Sequence, residues 1–142
     1  MTTSTIGNTK ESRTAPRGLA RAVLPAAGIA LVANLIVYAA ARALGVDLLV
    51  QPPTATTPEQ VTAIPVAVMS VVPMLLALLL ALAVRRWAPR SWLVLAWLGL
   101  AVGVVSMPVF AQATPATKVA LSLMHLITGA LWWLRVRAAA RR

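Results

Sequence analysis

Apolar residues run through this chain of 142 residues in four long stretches, about Ala22–Leu44, Ile64–Val84, Trp92–Phe110 and Val119–Leu134. Polar and proline-containing segments separate them. A hydrocarbon layer of ~30 Å is crossed by about 20 apolar residues in a helix. The first three runs meet that length as they stand, and the fourth does so when extended at both ends. The pattern predicts helical spans over 22–44, 61–85, 91–111 and 116–136. Short connections favour antiparallel neighbours. The expected fold is therefore all-α, an integral membrane antiparallel four-helix bundle. Its transmembrane domain covers 19–137, flanked by a disordered basic tail at 1–18 and a short basic tail at 138–142.

The segments between the runs carry start and stop signals. Gly45 follows the first run and suits a helix C-cap, and Pro52-Pro53 then forbids helix. Thr57-Pro58-Glu59-Gln60 has the form of a capping box with proline at the first helical position, which predicts a second helix starting before its apolar run. Thr114-Pro115 repeats the signal ahead of the fourth run. The recurrence of span, loop, Thr-Pro and span reads either as an internal duplication or as chance. Pro65, Pro73 and Pro108 lie within spans, where each removes a backbone hydrogen bond and bends the helix. They shape the bundle or serve as hinges.

Charge orients the bundle. Lys10, Arg13, Arg17, Arg21, Arg85, Arg86, Arg90, Arg135, Arg137, Arg141 and Arg142 all fall on one side of the four-span arrangement, against Arg42 and Lys118 on the other. Basic residues mark the cytoplasmic face, so both termini are expected there, in a plasma membrane. Trp87, Trp92, Trp132 and Trp133 fall near the same face, as interfacial indoles do. Composition agrees, with 60% apolar residues, 11% charged and a mean hydropathy of +0.83. The net charge of +10 does not point to nucleic acid, because the arginines cluster at the ends of apolar runs. They would instead attract anionic lipid headgroups. The first run, with Ala41-Arg42-Ala43 behind it, has features of a signal peptide, but a signal core is only ~7–15 residues and this run is longer.

Helices in lipid associate through small residues and hydrogen bonds rather than through the hydrophobic effect. Each span carries a stripe of such residues at helical spacing. The first offers Ala27, Ala30, Asn34, Ala41 and Gly45, with Tyr38, and the second offers Ala63, Ala67, Ser70, Ala77 and Ala81. The third offers Ala96, Gly99, Gly103 and Ser106, and the fourth Lys118, Ser122, His125 and Gly129. Asn34 and the single histidine, His125, lie at similar depths by helical rise. The expectation is a mid-membrane polar layer of Asn34, Ser70 and His125, whose groups satisfy one another. His125 then either packs helices together or relays a proton. A second group, Arg42, Asp47, Glu59 and Lys118 with Gln112, gathers at the opposite surface as loop charges or as the rim of a vestibule.

The chemistry available is narrow. With no cysteine and one histidine, a metal site lacks ligands, and no cofactor motif is present. Three acidic residues cannot be brought to His125 without burying a loop, so an enzyme is not expected. Two readings remain: an accessory or structural membrane protein that binds a partner, lipid or a second copy of itself, and a small-solute or proton-linked transporter or channel using the polar layer. ANLIVYAAARALGVDLLVQPP, an Arg-rich turn, and ATPATKVALSLMHLITG resemble an uncharacterised family of small four-span membrane proteins of high-GC Gram-positive bacteria. The resemblance covers about residues 20–137 and implies a bacterial inner-membrane location and four helices. It implies no activity.

Overall fold

The computed structural model describes residues 15–53, 55–85, 92–105 and 112–140. Four helices dominate it: α1 (Ala15–Ala43), α2 (Ala63–Arg85), α3 (Trp92–Val105) and α4 (Pro115–Ala140). Three of them, α1, α2 and α4, are long and apolar enough to cross a membrane. The described part of α3 is 14 residues, short of the roughly 20 that a crossing requires, and the rest of the span expected at 91–111 lies outside the described residues. At both ends of the chain helix replaces expected tail. Residues 15–18 form the first turn of α1, and α4 continues through 138–140.

α1 lies against α4 and α2, while α3 packs chiefly on α4. On α1 the buried positions are Leu19, Val23, Ala26, Ala27, Ala30, Asn34 and Ala41, one face at intervals of three and four. Alanine dominates this face because it lets two helix backbones approach closely. On α2 the buried face is Val66, Ser70, Met74, Leu78 and Ala81, which shares only Ser70 and Ala81 with the expected small-residue stripe. Larger side chains fill the α1–α2 contact, and Ala63 is exposed. Leu24, Ile36, Leu76, Leu79 and Val94 point outward and are exposed. Such a surface suits lipid and not water.

α3 and α4 meet through glycines. A Cβ at Gly99 would come within 3.0 Å of Trp132 Nε1, and one at Gly129 within 3.1 Å of Leu100 Cδ1. Each helix thus receives a large side chain of the other against a glycine. Gly103 is looser, with His125 O at 3.9 Å from the would-be Cβ. Ser122 is half-buried, and Ser106 lies outside the described residues.

The sequence pattern did not suggest strands, yet the connections pair into a small sheet. β1 (Leu49–Gln51) is central, with β2 (Glu59–Gln60) on one side and β3 (Gln112–Ala113) on the other, both antiparallel. Val50 pairs with Glu59 across one edge and with Ala113 across the other. The expected capping box at Thr57-Pro58-Glu59-Gln60 does not start a helix: its last two residues are β2, and α2 begins at Ala63. Two residues are too short a strand to read from alternation, and their partner is the three-residue β1 earlier in the same connection. Val50 and Val61 cover Val66, Leu121 and Met124, so the sheet closes this end of the helices.

Candidate functional site

Two polar sites stand out, one at the sheet end and one midway along the helices. At the sheet end α1 finishes in a Schellman motif. Gly45 takes φ +77°, Val46 N–H donates to Ala41 O at 3.0 Å, and Gly45 N–H donates to Arg42 O at 3.1 Å. Two residues on, Leu48 is fully buried at φ 51°, a conformation that costs a bulky side chain energy. Its burial with Ala41 and Ala120 offsets that strain.

Asp47, between these anchors, reaches the start of α4. Thr117 Oγ1 donates to Asp47 Oδ1 at 3.0 Å. The Thr114 hydroxyl lies 3.3 Å from the same oxygen and 2.9 Å from Thr117 Oγ1. Thr114 also accepts from Thr117 N–H at 3.3 Å, and Pro115 takes the first helical position, so Thr114 is the N-cap of α4. A carboxylate beside a helix N-terminus is favourable to the dipole as well. The expected charge group is thus differently used. Asp47 clamps the α1 exit to the α4 start through threonines, with Thr117 fully buried. Arg42 and Glu59 are exposed, and Lys118 is half-buried.

The mid-helix layer contains two of its three expected members. Asn34 Nδ2 donates to Ser70 Oγ at 2.8 Å and to Thr128 Oγ1 at 2.9 Å, joining α1, α2 and α4. Ser70 Oγ in turn lies 2.7 Å from Val66 O, and Thr128 Oγ1 lies 3.0 Å from Met124 O. Carbonyls only accept, so each hydroxyl has committed its single proton backward along its own helix. Each can therefore only accept from Asn34, which fixes the amide with its nitrogen towards both hydroxyls. Asn34 Oδ1 is left buried without a partner.

His125 is not the α4 member of this layer. Its Nδ1 is 2.9 Å from Leu121 O, one turn back on its own helix, and the hydrogen-bonding group facing Asn34 is Thr128. Thr128 lies three residues further along α4, about 4.5 Å of rise and about 60° of net rotation from His125, so neither the depth nor the phase of the histidine meets Asn34. Thr117 and Thr128 were both missed. An apolar run with a threonine one turn from the histidine was the available signal for Thr128, and the T-x-x-T spacing from Thr114 for Thr117.

Beside this layer lies a cleft of about 610 Å³ between α2 on one side and α3 and α4 on the other. It extends from Val50 and Val61 under the sheet to Leu80, Gly99 and Trp132 near the other end. Among the described residues, Asn34, Ser70, His125 and Thr128 supply its polar groups, and no lysine, arginine, aspartate or glutamate lines it. Trp132 Nε1 is a second buried polar atom with no partner. Beyond it, Trp133 packs edge-on against Trp97, centroids 5.3 Å apart, and holds the Arg137 guanidinium 4.9 Å above its ring. This aromatic–cationic end contrasts with the sheet end. Among the described residues no cluster of His, Asp or Glu could hold a metal ion.

Apolar-surfaced helices of crossing length around an uncharged interior layer define a small membrane protein. Over residues 14–142 the chain matches a family of unknown function (DUF6069) and belongs to that family. No curated protein and no solved structure matches it.

Proposed function

We propose that this protein is a four-span antiparallel bundle of the bacterial plasma membrane, with both termini cytoplasmic, and that it acts by binding within the membrane. The apolar run at 91–111, whose described part is α3, supplies the fourth span on this reading. The arginine bias supports the orientation, as does the aromatic–cationic end at Trp133 and Arg137, which suits an interface rich in headgroups. Anionic lipid meets the basic rim there.

The observation that carries the binding reading is the cleft. Among the described residues its lining carries no charge, it lies beside a hydrogen-bonded layer, and the one titratable side chain among them is turned onto its own helix. A proton-linked carrier commonly has a membrane-embedded carboxylate or a chain of exchangeable groups. Here the donors of Asn34, Ser70 and Thr128 are all committed within the layer. The transporter alternative keeps one supporting observation, that the cleft passes His125.

The two readings separate in reconstituted vesicles. Binding without transport predicts no pH-gradient-driven solute flux above that of protein-free vesicles. Flux that His125→Ala removes would establish the alternative. For topology, cysteines introduced at Ala55 and Ala88 are expected to react from outside and inside respectively, and the opposite pattern would invert the orientation.

A further inference from the structure

The shape and hydrogen-bonding character of the cleft specify what enters it. On α2 its wall runs from Pro65 to Leu80, about 22 Å at helical rise, so the space is long. Its lining is almost wholly aliphatic, methionine and glycine, as in sites for apolar ligands. The lining residues Met69 and Leu80 of α2 and Leu98 of α3 are also exposed. They form a rim opening sideways, where lipid would lie on the membrane reading above.

The polar groups are mostly acceptors. A carbonyl accepts the His125 Nδ1 bond, so Nδ1 carries the proton, and in the neutral ring Nε2 keeps a lone pair. Pro73 has no N–H, so the Met69 carbonyl cannot receive its helical bond, and both residues line the cleft. Asn34 Oδ1 is the third acceptor, buried and unpartnered, on a side chain only 3% exposed. The counterpart, among the described residues, is one unpartnered donor, Trp132 Nε1, on a side chain 4% exposed. A cleft with surplus acceptors favours a ligand that brings hydrogen-bond donors, and a lining without charge among the described residues disfavours an ionic one.

We propose that the cleft binds a neutral, single-chain lipid bearing hydroxyl groups, which enters sideways between α2 and α3. The chain lies along the aliphatic wall. A hydroxyl donates to His125 Nε2, and a ligand oxygen accepts from Trp132 Nε1. This deepens the binding reading above and rests on it.

The test uses the full chain in detergent micelles with tritiated 1-monooleoylglycerol, and methyl oleate as competitor. The two share the oleoyl chain and ester, but only the first has hydroxyls. The expected result is saturable binding near one per chain, with methyl oleate at least about tenfold weaker, the factor for roughly one unmade hydrogen bond. His125→Phe should bring the two ligands to within about threefold of each other, because it keeps ring bulk and removes the acceptor. Leu80→Trp should lower binding of both by tenfold or more at an unchanged unfolding midpoint. Absence of saturable binding overturns the proposal. So does equal affinity for the two ligands in the natural sequence, which would mean bulk lipid filling a groove. Disulfide-linked dimers of Leu98→Cys in membranes, without lipid binding, would instead identify a second copy as the occupant and also overturn it. Proton-driven flux would remove the binding reading itself; failed lipid binding without flux removes only this inference.

Discussion

The sheet end and the mid-helix cleft handle their polar groups in opposite ways. At the sheet end Asp47, Thr114 and Thr117 close their hydrogen bonds on one another, and Leu48 plugs the space beneath. In the cleft Asn34 spends its donors on Ser70 and Thr128, yet keeps an acceptor without a partner, and Trp132 keeps a donor. Completed networks stabilise, while incomplete ones cost energy until something joins them. The difference separates a part built to hold the fold from a part left for a ligand.

The largest expected effect tests the first half of that contrast. Asp47→Ala removes an exposed carboxylate that accepts from the fully buried Thr117 hydroxyl. It should cost about 1.5 kcal/mol of unfolding free energy in mixed micelles, because the Thr114 hydroxyl remains beside Thr117. Asp47→Asn retains an acceptor and should recover more than half of it. Equal losses for the two would show that the clamp depends on charge alone.

Asn34→Leu comes next. Interhelical hydrogen bonds in membranes average ~0.6 kcal/mol, so losing two predicts a cost near 1 kcal/mol, read from the same unfolding curves. A loss above about 3 kcal/mol would mean that the layer, and not the sheet end, is the principal lock. Thr128→Val should cost about half as much as Asn34→Leu. His125→Leu should fall within about 0.5 kcal/mol of the natural sequence, because the imidazole bonds only to its own helix. If His125→Leu proved more damaging than Thr128→Val, the assignment of Thr128 as the α4 partner of Asn34 would be wrong.

Helical character was legible from the hydrophobic runs, since run length alone separates a membrane helix from a soluble one. The role of Gly45 was legible because a positive φ at a helix end restricts residue choice so strongly. Asn34 and Ser70 were found because a polar residue on a small-residue stripe has few places to go. The sheet was not visible. Its strands are two or three residues long, and although β2 shares a connection with β1, β3 comes from a different one, so that Gln51 pairs with Gln112 more than fifty residues away. His125 misled because histidine draws attention as a titratable group, whereas the group that reaches Asn34 is a threonine, unremarkable by composition. The cleft itself was beyond reach, since open space between helices follows from packing and leaves no mark on any single residue.

One measurement bears most directly on the division between the two regions: the shift in thermal unfolding midpoint produced by saturating 1-monooleoylglycerol. A ligand that binds only the folded state raises the midpoint. The natural sequence and the weakened Asp47→Ala variant should show upward shifts of similar size, because the clamp takes no part in binding. Leu80→Trp should begin at the natural midpoint and show a markedly smaller shift. A full shift in Leu80→Trp, or its loss in Asp47→Ala, would contradict the account.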